Sequence, residues 1–175
     1  PYSRTIHLVP NAVDYDGFQH TLAGADVPAE MAALPAPIIG YVGAINDKLD
    51  YTLLATVARH RPGWSLALVG PVDVRTPKDV AGFETLRVLP NVHFLGPVAV
   101  DDVPRYIAAC QVCLVPYKIN ERTRYISSLK LYEYLACGKP VVSTDVPAAH
   151  EGRGTVRIAT AEMFVVAIEQ ALADD

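Results

Sequence analysis

Apolar residues along this chain follow two rhythms. Short, nearly continuous apolar runs occupy 38–42, 65–70, 92–95, 111–116, 140–143 and, more weakly, 155–159. Between them lie stretches of helix length: 49–60, 79–87, 101–109, 128–137 and 161–173. An apolar run of strand length predicts a strand buried on both faces. Alternation of such strands with helices predicts an α/β fold, doubly wound, with about six mostly parallel strands and helices on both faces. Residues 1–36 show little periodicity and read as a lead-in segment, with a short helix over 30–34 ahead of Pro35. Residues 37–175 form the expected domain.

In an open α/β sheet, ligands bind beyond the carboxyl ends of the strands. Those ends are the loops 43–48, 70–78, 95–100, 117–128 and 144–150, and they hold most of the unusual polar residues. The stretch Ser127-Ser128-Leu129-Lys130-Leu131-Tyr132-Glu133-Tyr134-Leu135-Ala136-Cys137-Gly138-Lys139-Pro140 reads as loop, helix and strand start. Ser127 or Ser128 is placed to cap the helix. Lys130 falls in the first turn, where the helix already carries partial positive charge. A bound anion would turn that penalty into a gain. Glu133 shares its face. For a lone pair of charges, a plain surface Lys–Glu pair would be the favoured reading; the string around them decides against it. Gly138 predicts the helix stop, and Pro140 opens the run Val141-Val142.

The string Leu129 to Val142 resembles the donor-site helix and following strand of the GT-B glycosyltransferases, in the large retaining group known as glycosyltransferase group 1 or family 4-like. Three more segments resemble that group in the same order: Val9-Pro10-Asn11-Ala12-Val13-Asp14, Ile39-Gly40-Tyr41-Val42-Gly43 and Val92-His93-Phe94-Leu95-Gly96. The resemblance implies a Rossmann-like C-terminal domain that binds a nucleoside-diphosphate sugar. Glu133 would hold the ribose hydroxyls. Lys130, the catalytic candidate, would face the diphosphate, beside Ser127, Ser128 and Leu129. Gly43 and Gly70 would let backbone approach the ligand or floor the crevice. Asn46 and Lys48 occupy the loop where the group often carries phosphate-binding cations, although Lys48 reads equally well as a solvated helix-start residue. Phe94, Leu95 and Gly96 would flank the base. Arg122 and Arg124, in the long charged loop 118–125, could clamp a phosphate, face an acceptor or stay solvated. Many members carry a second glutamate eight positions before the ribose-binding one, and this chain has Tyr125 there.

Composition narrows the class. The 175 residues are 51% hydrophobic and 19% charged, enough for one well-cored domain, and the net charge of −4 argues against a nucleic-acid partner. No apolar run reaches the ~18 residues of a membrane helix, and the start Pro1-Tyr2-Ser3-Arg4 lacks both a signal peptide and an initiating Met. The expectation is a cytoplasmic fragment whose acceptor-binding N-terminal domain is missing, with membrane contact only through the missing part. Cys110 and Cys113 form a C-x-x-C pair inside a helix end and buried strand, which suits packed thiols rather than a redox or zinc site. The five histidines lack metal-ligand spacing. No metal and no cofactor are expected, the nucleoside-diphosphate sugar being a substrate.

These readings converge on a donor-binding domain that transfers a sugar to a hydroxyl, in polysaccharide or glycolipid biosynthesis, and that turns over poorly alone. A sugar-nucleotide epimerase of the same architecture and a non-catalytic nucleotide-binding module remain open. A flavodoxin-like phosphoacceptor does not fit, because the strand ends Val42-Gly43-Ala44 and Leu95-Gly96-Pro97 lack its acidic residues.

Overall fold

A computed structural model of the chain describes residues 7, 11–24, 26–152 and 154–174. Its strands are β1 (Ile38–Val42), β2 (Ile45–Asn46), β3 (Ser65–Val69), β4 (Val72–Asp73), β5 (Val92–Gly96), β6 (Val112–Val115), β7 (Val141–Ser143) and β8 (Val156–Ile158). Six form one parallel sheet in the order β5-β3-β1-β6-β7-β8. Every residue of β1, β3, β6 and β7 is buried, whereas the edge strands β5 and β8 are partly exposed. That burial is why the central strands read as unbroken apolar runs.

The helices are α1 (Tyr15–Leu22), α2 (Ala29–Ala32), α3 (Tyr51–His60), α4 (Pro77–Arg87), α5 (Val103–Ala108), α6 (Leu129–Ala136) and α7 (Phe164–Ala173). α3 packs on α4 and α7, and α1 packs on α5 and α6. The fold is thus the expected Rossmann-like α/β sandwich with helices on both faces. Asp50 caps α3 by accepting from the Leu53 N–H at 2.9 Å. Gly138, at φ +66°, ends α6: its N–H donates to Leu135 O at 2.9 Å and that of Lys139 to Tyr134 O at 3.0 Å, a left-handed glycine stop.

Several boundaries differ from the sequence expectation. α1 lies inside the segment read as aperiodic. None of its residues is fully buried, and its half-buried stripe of Phe18, Thr21 and Leu22 spans only two turns, too short to stand out in the sequence. Its cap is local, Asp14 accepting from the Gly17 N–H at 3.0 Å, and Gln19 ties it to α6 through Ala136 O at 2.7 Å. α4 begins at Pro77 rather than 79, because Thr76 caps it and Pro77 fits the first turn. The stretch expected as a helix over 101–109 opens as a 3₁₀ turn, Val100–Asp102. The short helix expected over 30–34 is α2, and the one expected over 161–173 begins at Phe164. β2 and β4, two residues each, are too short to show a period; they zip the loops after β1 and β3 together. Val9 and Pro10 of the lead-in motif lie outside the described residues. No helix among the described residues is long and apolar enough to cross a membrane.

Replacing Asp50 by Ala removes the α3 cap and should cost about 1 kcal/mol. Thermal unfolding should show a melting temperature lower by about 2–4 °C for a chain of this size, with Asp50→Ser recovering most of the loss.

Candidate functional site

The chain runs outward from β1 through β3 to β5, returns to β6, and runs outward again through β7 to β8. The loops that follow β1 and β6 therefore part in opposite directions, and a crevice opens above their carboxyl ends. The loop 43–48 forms one wall, and the N-terminus of α6 forms the other.

The two walls touch at Gly43. Its φ is +143°, and a Cβ there would lie 1.5 Å from Lys130 Nζ and 2.0 Å from its Cε. The lysine thus lies against a bare Cα, and the space a side chain would fill is taken by the ammonium. Gly70 allows the same closeness behind it, since its Cβ would meet Gly43 O at 2.2 Å.

Beneath the crevice, Tyr41 and Tyr117 pack edge to face, with ring centroids 6.5 Å apart at 71°. Lys130 Nζ stands 5.5 Å from the Tyr41 ring centroid, and Lys48 Nζ stands 5.3 Å from that of Tyr117. The negative ring faces offset part of the cost of holding two cations here. Among the described residues neither lysine makes an ion pair. Burial pulls the Lys130 ammonium below its ordinary pKa; Glu133 opposes the shift and Lys48 adds to it. Burial and the nearby Arg122 lower Lys48 in the same way. Glu133 is raised by burial and pulled back by Lys130. The nearby carboxylates are engaged elsewhere: Asp47 accepts from the Arg75 N–H at 2.9 Å, and Asp50 caps α3.

Ser128 occupies the N-cap position of α6 but does not cap it. Its Oγ is buried and makes no well-formed hydrogen bond among the described residues, although it lies close enough to the Tyr117 hydroxyl to offset part of the rise that burial gives that phenol's pKa. A buried hydroxyl left without a hydrogen bond costs about 1–3 kcal/mol. It stands at a helix N-terminus whose first turn contains no acidic residue. Two ammoniums, a hydroxyl with no well-formed hydrogen bond and free helix N–H groups thus converge on one crevice, an arrangement suited to an anion of more than one charge.

The other expected residues fall around this centre. Asn46 Oδ1 accepts from the Lys48 N–H at 3.1 Å and shapes its loop. Gly96 O accepts from the Gly70 N–H at 2.7 Å. Phe94 packs edge-on against Phe83 at 5.1 Å, and Leu95 is partly exposed beside it. Ser127 is exposed, and its carbonyl accepts from Asn11 Nδ2 at 3.3 Å. Leu129 is exposed on the first turn of α6. Arg124 stands apart. It lines a cavity of about 530 Å³ with Ile119, Asn120, Glu121, Asp145 and Pro147, which none of the other expected residues borders. Arg122, two residues away, instead faces Asn46 and Asp47 across a cavity of about 280 Å³.

Sequence reasoning missed the tyrosines. Tyr41, Tyr117 and Tyr134 look like core residues of buried runs, and nothing in their spacing shows that they support the crevice. The thiols are packed as expected: Cys110 and Cys113 are buried and free, and burial pushes Cys137 up to about 12. Among the described residues no group of three or more His, Cys, Asp or Glu is placed to hold a metal ion.

Residues 36–174 match the family model for glycosyl transferases group 1. Over 143 residues the chain is 36% identical to TuaH of Bacillus subtilis (strain 168), named as a teichuronic acid biosynthesis glycosyltransferase; the match covers 82% of this chain and 35% of that protein. The fold matches sucrose-phosphate synthase from Thermosynechococcus elongatus with a TM-score of 0.66 at 23% identity, over 96% of this chain and 43% of that one. It also matches the C-terminal domain of LpcC, a glycosyl transferase group 1 family protein from Francisella tularensis, with a TM-score of 0.60 at 16% identity, over 95% and 85%. The chain therefore spans about a third of the length of its curated relative, and it belongs to the glycosyl transferase group 1 family.

Proposed function

We propose that this chain is the donor-binding part of a glycosyltransferase that moves a sugar from a nucleoside-diphosphate sugar to a hydroxyl acceptor. The observation that carries the reading is the pair Lys130 and Ser128: among the described residues, an ammonium without an ion-pair partner and a buried hydroxyl with no well-formed hydrogen bond beyond its contact with Tyr117, both at the α6 N-terminus. A diphosphate would satisfy both. Glu133, three residues along the same helix, is placed to accept from a vicinal diol such as a ribose. Phe94, Leu95 and Gly96 lie at the carboxyl end of β5 and would flank the base.

In the reaction, the bond between the sugar's anomeric carbon and the diphosphate oxygen breaks. The acceptor oxygen bonds to that carbon, and its proton passes to the leaving diphosphate. Charge grows on the leaving diphosphate, and Lys130, Lys48 and the α6 N–H groups stabilise it where it forms. No metal or cofactor has a part in this reading. The acceptor would be held by a part of the protein beyond this chain, so the chain alone should bind donor and turn over poorly. The TuaH match supports a place in polysaccharide synthesis.

Titration with ADP, GDP and UDP, each against its nucleoside, tests the reading, and Lys130→Met separates the site from a structural lysine. The folded chain lowers the Lys130 pKa, so the folded state binds that proton more weakly than the unfolded one. The charged lysine thus costs stability at neutral pH, and the cost fades as pH rises through the lowered pKa. Lys130→Met should melt at the same temperature as wild type or slightly higher. It should also lose tenfold or more in diphosphate affinity and little in nucleoside affinity, as a charge-assisted hydrogen bond worth about 1.5–3 kcal/mol implies. A lower melting temperature with unchanged affinity would make Lys130 structural.

Glu133→Ala should weaken the ribonucleotide about tenfold or more on the same reasoning. It should also erase the wild-type preference for ribose over 2′-deoxyribose or 3′-deoxyribose nucleotides. Equal weakening of all three would refute the ribose contact.

A further inference from the structure

β1 pairs with β3 along all five of its residues, but with β6 only at Ile39 and Gly40. Backbone groups alternate sides along a strand. Ile38, Gly40 and Val42 turn theirs toward β6, as the bond from Gln111 N–H to Ile38 O at 2.9 Å shows. The N–H and C=O of Val42 thus point to where the next rung of the ladder would be. A side chain takes that rung. The Tyr134 hydroxyl accepts from the Val42 N–H at 2.9 Å and donates to the Val42 carbonyl at 3.3 Å. Tyr134 is fully buried. Past this point β6 finds other partners: Pro116 O accepts from the Asp50 N–H and Lys48 O from the Lys118 N–H, both at 2.9 Å.

The two ends of this contact carry the crevice. Gly43, against which the Lys130 ammonium lies, directly follows Val42. Tyr134 sits one helical turn after Lys130 and directly after Glu133. One phenol therefore ties the end of β1 to the helix that bears both charged residues.

We infer that Tyr134 is a positioning residue for the diphosphate site: its hydroxyl ends the β1–β6 ladder after Gly40 and fixes α6 against β1, so that Lys130 is delivered to Gly43. The inference rests on the proposed function for the nature of the ligand and adds a residue that touches neither ligand nor reacting atoms. Without the hydroxyl, two buried backbone groups lose their partner. The N–H regains one only if β6 closes toward β1 or water enters. The carbonyl regains one only from water, because the facing residue in this register, Pro116, has no N–H. Either change moves Gly43 relative to Lys130.

The test compares Tyr134→Phe with Val142→Ala, a cavity-forming change at a buried position of β7 away from the crevice. The readouts are amide hydrogen exchange, melting temperature and affinity for inorganic pyrophosphate, followed at the Gly43 and Ser128 amides. Tyr134→Phe should raise Val42 exchange at least tenfold while β3 and β7 keep their protection, and should weaken pyrophosphate about tenfold. Val142→Ala should lower the melting temperature as much or more and keep pyrophosphate affinity within twofold. Equal affinity losses in both variants, or wild-type affinity in Tyr134→Phe, would overturn the positioning role. A wild-type chain that binds neither pyrophosphate nor ADP, GDP or UDP would overturn the diphosphate reading and this proposal with it. In the unmutated chain, a nuclear Overhauser contact between the Tyr134 hydroxyl proton and the Val42 amide proton should be visible, and its absence would also overturn the inference.

Discussion

A partly buried ammonium without a counterion is the constraint around which this domain is arranged. Lys130 has no ion pair among the described residues, and burial lowers its pKa. The structure tolerates it through three features: the bare Cα of Gly43, the face of Tyr41 and the moderate pull of Glu133. None of these neutralises the charge. Lys48 repeats the arrangement on Tyr117 with Arg122 near. A fold that gathers cations and leaves them unpaired gives up stability there, and a multiply charged anion is the ligand that would recover it.

The sheet topology makes this arrangement possible. Only at the β1–β6 junction does the chain reverse its direction of travel across the sheet, so only there do neighbouring strand ends send their loops apart. The cavity of about 530 Å³ is lined by Arg124 and Asp145 and by none of the residues that hold Lys130. The chain matches 35% of its curated relative and 43% of sucrose-phosphate synthase.

Much of this was legible in the sequence, for physical reasons. Strands buried on both faces leave unbroken apolar runs, and β1, β3, β6 and β7 were read from them. Lys130 was legible because a cation in a helix's first turn contradicts the dipole unless something else is present. The Ser128 side chain was expected to cap and does not: its hydroxyl lies against that of Tyr117 rather than back on the helix N–H groups. Arg122 and Arg124 looked alike in the sequence, yet the turn Thr123–Tyr125 sends them to different cavities. α1 was missed because two turns with a half-buried stripe leave only a short periodic trace, although its Asp14 cap was there to be read. The tyrosine supports were illegible for a deeper reason. A tyrosine in a buried run is the same letter whether its hydroxyl merely finds a partner or separates two strands.

The most direct measurement is a crystal structure of the chain with a bound nucleoside diphosphate. The account predicts phosphate oxygens within hydrogen-bond distance of both Ser128 Oγ and Lys130 Nζ, with the ribose hydroxyls on Glu133. A nucleotide seated instead in the cavity beside Arg124, with no phosphate oxygen on Ser128 Oγ, would contradict it.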